Sequence, residues 1–177
     1  MAHNLSTSAD AEFNFMVSQL RDGSFDQPIA SGDALIPGCF FQVDPAGQQE
    51  MHLTSGAGEG LKIRTRVQHP GDWMALHLRL EGLDLSDKQV LGFLCKSQSP
   101  QAMTYRACLR SGTETGFHDC FFTKTLVAYD QPSSHLDVLD LSTRPDVPLP
   151  ATWREFIFFF KPSSFDLELQ DLRFFIV

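Results

Sequence analysis

The chain has 177 residues, 42% of them apolar and 20% charged, so it is neither a disordered polymer nor too short to bury a core. Fourteen basic side chains against 22 acidic give a formal charge of −8, an overall field that repels nucleic acid and anionic lipid. No apolar run approaches bilayer length; the longest, residues 156–160, is strand-sized.

Residues 1–12 are small, polar and without periodicity, and read as a flexible N-terminal arm ahead of a single domain over 13–177. They carry no basic region followed by an apolar run, so the expected address is cytoplasmic. Asn4-Leu5-Ser6 matches a glycosylation acceptor by accident in that setting. Residues 11–21 are only loosely periodic through Phe15, Val17 and Leu20, and a strand is preferred there to a helix.

Strand signals then follow one another. Residues 38–43 (GCFFQV), 49–54 and 61–68 are separated by the turn DPAGQ and the glycine-rich GAGEG, the last two runs suggesting a hairpin. In LKIRTRVQ the residues Leu61, Ile63, Thr65 and Val67 face one way and Lys62, Arg64, Arg66 and Gln68 the other. After the turn HPGD, Met74, Leu76, Leu78 and Leu80 form a buried face and Ala75, His77, Arg79 and Glu81 an outward one. Further strands are expected at 90–96, 102–110, 117–125 and 136–141.

The chain closes on WREFIFFFK (153–161) and residues 165–177, which hold seven of the 16 phenylalanines. Both faces of the first segment are apolar, which places it centrally in a sheet. About nine to eleven short strands and no long helix predict an all-β fold, a two-sheet antiparallel β-sandwich of the jelly-roll kind.

The C-terminal block WREFIFFFKPSSFDLELQDLRFFIV, preceded in order by DGSF, DWMALHLRLEG and VLGFLCKS, resembles galactose-binding-like jelly rolls, the fold of many carbohydrate-binding modules. The resemblance is an order of patterns over residues 13–177. It implies a carbohydrate ligand, and a structural calcium held near the first strand and in the last; the matching positions are Glu12 or Asp22 and Asp171. No other cofactor is implied.

Read from the residues themselves, the strand patterns gather Lys62, Arg64, Arg66, His77, Arg79, Arg106 and Arg110 into a cationic ladder on one sheet face. Guanidinium forks match carboxylates and diols, so such a face either pairs with the chain's own acids or binds a carbohydrate or other polyhydroxylated or anionic ligand. Trp73, Tyr105 and Phe117 are the candidates for stacking against it, and Trp153 is expected to be structural.

Signs of catalysis are sparse. The six histidines show no metal spacing, and the four cysteines lack the intervals of a zinc site or a redox dithiol and read as buried thiols. His118 and Asp119 are adjacent on a strand and point apart; His118 and Cys120 share a face among phenylalanines. GAGEG is a turn and not a dinucleotide fingerprint. Glu81, Asp119, Glu155 and Glu168 carry no assigned catalytic role. Three functions stay open: a ligand-binding sandwich, an assembly protein forming a homodimer through its aromatic strands, and a jelly-roll lyase, isomerase or hydrolase using His77 with an arginine.

Overall fold

The computed structural model describes residues 10–56 and 60–177. Most of the expected N-terminal arm, including Asn4, and the middle of the GAGEG turn therefore lie outside the described residues.

The first element corrects the sequence reading. Residues Ala11–Asp22 form a helix, α1, starting inside the expected arm and occupying the segment read as a strand. Its buried side chains are Phe13, Met16, Val17 and Leu20, spaced i, i+3, i+4 and i+7. The strand reading followed Phe15, which is 64% exposed, and missed this stripe. Phe13 stacks on Phe174 with ring centroids 4.6 Å apart. The Asn14 side-chain amide exchanges two hydrogen bonds of 2.8 Å with the backbone of Phe174. These contacts fix α1 on the last strand.

Twelve strands follow: β1 (Phe25–Ile29), β2 (Ala34–Ile36), β3 (Cys39–Val43), β4 (Gln48–Ser55), β5 (Leu61–His69), β6 (Met74–Glu81), β7 (Val90–Gln98), β8 (Met103–Thr113), β9 (Gly116–Ala128), β10 (Ser133–Asp140), β11 (Trp153–Phe160) and β12 (Phe165–Ile176). They form two six-stranded sheets, the first in the order β1-β4-β5-β12-β7-β10 and the second β2-β3-β6-β11-β8-β9. Every pairing is antiparallel. The fold is a two-sheet β-sandwich whose connections repeatedly pass from one sheet to the other, as in a jelly roll.

The alternation in β6 holds as expected, with Met74, Leu76, Leu78 and Leu80 buried against the opposite sheet. Strand β11 is central, flanked by β6 and β8, and carries Phe156, Phe158 and Phe160 into the core. Phe93 of the opposite sheet meets Phe122, Phe156 and Phe158 edge to face at 4.9–5.9 Å. That geometry adds to the burial each ring already gains.

Asp137 of β10 and Arg154 of β11 are charged residues buried on inward faces of the sandwich. Arg154, 0% exposed, points inward from β11 and donates to the carbonyls of Leu83, Pro148 and Leu149 and to the Ser111 hydroxyl. It ties the β6–β7 and β10–β11 connections to the end of the core. Burial pulls its pKa down from 12.5 to about 10.

Candidate functional site

The expected cationic ladder is divided between two faces. Strand β5, carrying Lys62, Arg64 and Arg66, lies in the first sheet, whereas β6 and β8, carrying His77, Arg79, Arg106 and Arg110, lie in the second. The chain changes sheet between β5 and β6, at HPGD, so alternation within each strand survives while the two outward faces point away from each other. Arg64 and Arg66 both bind Asp166 of β12, at 2.7 and 2.8 Å. Partial burial of Asp166 acts to raise its pKa, but the two arginines overcome this and hold its carboxyl below the usual range.

Tyr105 does not serve as a stacking platform. It points inward, 2% exposed, donates to the Ser97 hydroxyl at 2.8 Å and lies 3.4 Å from Cys95 Sγ. Trp73 stands 36% exposed in the connection between the sheets, where its carbonyl accepts from the Asp44 amide.

The calcium ligands implied by the resemblance do not assemble. Asp22 pairs with its neighbour Arg21, Asp171 with Arg173, and Glu12 lies in the first turn of α1. Among the described residues no three or more His, Cys, Asp or Glu side chains converge as a metal site would require. Calcium needs six to eight oxygen ligands, so these residues do not fit it.

The outward face of the second sheet is ordered in rows across its strands. Cross-strand pairing lines up Phe40, His77, Ile157, Cys108 and Phe121 on β3, β6, β11, β8 and β9. Two residues along, Arg79, Glu155, Arg110 and Asp119 form a row of alternating charge. With strands about 4.8 Å apart, the five-strand row spans roughly 19 Å.

The charged row is tightly paired. Arg110 makes two parallel bonds to Asp119, of 2.6 and 2.8 Å. Arg79 reaches Glu81 at 2.9 Å and Glu155 at 3.6 Å. Glu155 also holds His77, whose Nδ1 lies 3.0 Å from its carboxylate. A carboxylate only accepts, so Nδ1 carries a proton in that contact. Nε2 is buried with no hydrogen-bond partner among the described residues. Phe40 stacks on the imidazole at 4.8 Å, nearly parallel at 10°.

Rings and guanidinium planes cover this face. Arg79 lies over Trp153 at 4.5 Å, Arg106 over Phe121 at 4.3 Å and Arg110 over Phe117 at 3.9 Å. Gly112 makes room for the indole: a Cβ there would stand 2.3 Å from Trp153 Nε1. The outward-pointing Ala75, Cys108 and Ile157 are 0% exposed although no third layer of described residues packs on the sheet. Phe121 and Phe159 pack against them.

Sequence reasoning placed His77, Arg79, Arg106, Arg110 and Phe117 outward but missed Trp153, Glu155, Asp119 and Phe40 as members of this surface. The alternation of WREFIFFFK already put Trp153, Glu155, Ile157 and Phe159 together; only the identity of their cross-strand neighbours was hidden. His118 is exposed and Cys120 is buried beneath Arg144, so these two form no nucleophile–base pair.

No family model and no curated protein matches the chain. Solved structures do. A CBM4 module superposes with a TM-score of 0.57 at 10% identity, covering 89% of this chain and 99% of that one. The chain has the fold of a carbohydrate-binding module. A family 11 carbohydrate-binding module of a Clostridium thermocellum cellulosomal cellulase matches with TM-score 0.56 at 10% identity, over 88% of this chain and 96% of that chain. The CBM22-1 xylan-binding domain of Paenibacillus barcinonensis Xyn10C matches with TM-score 0.53 at 8% identity, over 88% and 97%. Carbohydrate-binding modules of three kinds therefore share this two-sheet architecture across nearly their whole lengths.

Proposed function

We propose that the protein is a non-catalytic carbohydrate-binding sandwich that takes its ligand on the outward face of the second sheet. The observation that carries this reading is the juxtaposition there of flat rings, Trp153, Phe117 and Phe40, with the paired row Arg79–Glu155–Arg110–Asp119. A sugar presents an apolar C–H face and a rim of hydroxyls. The first packs on aromatic surface, and the second is matched by side chains that offer donors and acceptors in fixed positions. Ion pairing among these residues holds their forks in place before any ligand arrives, which lowers the ordering entropy of binding. The fold shared with a module described as xylan-binding, and with another in complex with a β-1,3-1,4-mixed-linked tetrasaccharide, supports the same reading.

The test is retention of the protein in native gels cast with soluble β-glucan or xylan. The parent is expected to be retarded, and Trp153→Ala to lose about tenfold in affinity, a change worth about 1.4 kcal/mol. Arg173→Ala, on the opposite sheet, is expected to behave as the parent. A parent that no glucan, xylan or arrayed glycan retards overturns the proposal, as does a Trp153→Ala variant that stays folded and binds unchanged.

A further inference from the structure

The outward face of the first sheet carries an apolar patch where β10, β7 and β12 lie side by side. Two neighbouring cross-strand rows build it, Leu136–Leu94–Arg173 and Val138–Gly92–Phe175. Leu136 is 49% exposed and Val138 39% exposed, while Leu94, Phe175 and the next outward residue of β7, Val90, are half-buried. A Cβ on Gly92 would run into the Phe175 ring, so the ring lies across β7 and flattens the surface between the strands. Contiguous apolar surface of this kind, unlike a single exposed leucine, marks an interaction face.

The two ends of the patch carry opposite charge. At one end Lys96 stands exposed on β7 between Ser134 and Asp171. It has no ion-pair partner among the described residues, and the Asp171 carboxylate beside it is taken by Arg173 at 2.8 Å. At the other end Asp140 lies across from Val90, and its Oδ1 accepts from the Ser142 amide at 3.0 Å and hydroxyl at 2.6 Å. Among the described residues no cation reaches this carboxylate either. Six residues of strand separate the two ends, about 20 Å.

We propose that this face is a homodimer interface, occupied by a second copy of the chain. The two-fold axis lies in the plane of the face, perpendicular to the strands and midway between the charged ends. Such an axis reverses the strand direction, so Leu136 meets Val138 of the partner subunit and Leu94 meets the partner subunit's Phe175. Each Lys96 then stands one strand spacing, about 4.8 Å, to the side of the partner subunit's Asp140, within reach of a lysine side chain. Any partner must match an apolar centre with a cation at one end and an anion at the other; a copy of the chain does so by symmetry. Three strands by six residues is an area of about 10 × 20 Å, a quarter of the roughly 800 Å² per partner in a standard interface. The patch is therefore the core of the contact, and a dissociation constant in the micromolar range is expected. The arrangement leaves the outward faces of both second sheets open.

Sedimentation velocity of the full chain between about 5 and 500 μM tests it. The parent is expected to move from monomer to dimer across that range, and Leu136→Glu to raise the dissociation constant at least about tenfold with the melting temperature unchanged. Lys96→Glu and Asp140→Lys are each expected to stay monomeric alone. An equimolar mixture of the two is expected to dimerise, because each reversed charge in one chain meets its opposite in the other. Should Asp140→Lys lose its fold with the Ser142 bonds, Asp140→Asn keeps an acceptor there and is expected to weaken the dimer; a dissociation constant equal to the parent's overturns the proposal. So does a parent that remains monomeric at about 500 μM, which leaves the patch to a different partner. Leu136→Glu dimerising as the parent does, or a mixture of the two charge variants that stays monomeric, overturns it as well.

Discussion

Replacing Arg154 with methionine tests whether a lone buried guanidinium holds one end of the sandwich together. The side chain is 0% exposed and makes four hydrogen bonds, to three carbonyls and one hydroxyl, with no carboxylate in direct contact. Net contributions of bonds to a charged group run about 1.5–3 kcal/mol each. The bonds to Leu83 and Ser111 are sealed from water, while the carbonyls of Pro148 and Leu149 lie nearer the surface and rehydrate once the arginine is gone. Sealed bonds belong at the upper end of that range, so the two together amount to about 6 kcal/mol. Against this, the fall in pKa from 12.5 to about 10 says that burial disfavours the cation by about 3 kcal/mol, a cost that a methionine at this position no longer carries. The balance is a loss of about 3 kcal/mol, or roughly 6–12 °C in melting temperature for a domain of this size. Thermal denaturation followed by circular dichroism reads it directly. Arg154→Lys keeps the charge but loses the planar fork, and is expected to melt no higher than the methionine variant. A methionine variant that melts within about 2 °C of the parent, or above it, refutes the reasoning and makes Arg154 replaceable by apolar volume.

The titrating groups set the response to pH and to thiol reagents. The hydrogen bond from Arg144 holds the Asp146 carboxyl well below its ordinary value of 3.8, and Asp166 is lowered as well. In the unfolded chain both protonate at about pH 4, before the folded ones do, so their stabilisation is complete above that pH and is lost as pH falls below it. Melting temperature is expected to drop between about pH 5 and pH 2, and less steeply in Arg144→Met; an identical slope in that variant removes Asp146 as a contributor. All four cysteines are buried, and burial pushes the thiols of Cys39, Cys95 and Cys120 up to about 12 and that of Cys108 up as well. No thiol is expected to react with a disulfide reagent at about pH 8 in the native state, and all four in denaturant; one fast native thiol overturns this reading.

The architecture was legible because the strands carry their own geometry. In β6 every second residue is apolar and large, and that period of two states which face is buried without reference to any partner, while apolar residues on both faces of β11 mark it as a central strand. Strand order leaves no such local mark. Lys62, Arg64 and Arg66 look like neighbours of His77 and Arg79 because only a short turn separates the runs, and nothing in HPGD distinguishes a hairpin from a crossing between sheets. Helix α1 was missed for a related reason. Its apolar stripe is diluted by the exposed Phe15, so hydrophobicity without position pointed the wrong way, while Phe13, Met16, Val17 and Leu20 hold the helical spacing.

The crossing at HPGD also explains why the two outward faces differ in chemistry. In the first sheet, cross-strand partners come from β1, β4, β5 and β12, whose outward residues form local charge pairs such as Asp26–His52 and Arg64–Asp166. In the second, β11 is inserted between β6 and β8, and its outward Glu155 and Trp153 supply an acid within reach of Arg79 and the ring on which the Arg79 guanidinium rests. A run of arginines at strand spacing is self-repelling. Splitting it between faces and placing a mixed aromatic and acidic strand within one half relieves that repulsion and makes the same residues into an ordered, partly apolar surface. Strand β11 thus does two jobs from alternate positions: Phe156, Phe158 and Phe160 hold the sheets together, while Trp153 and Glu155 organise the face on which the carbohydrate is proposed to bind.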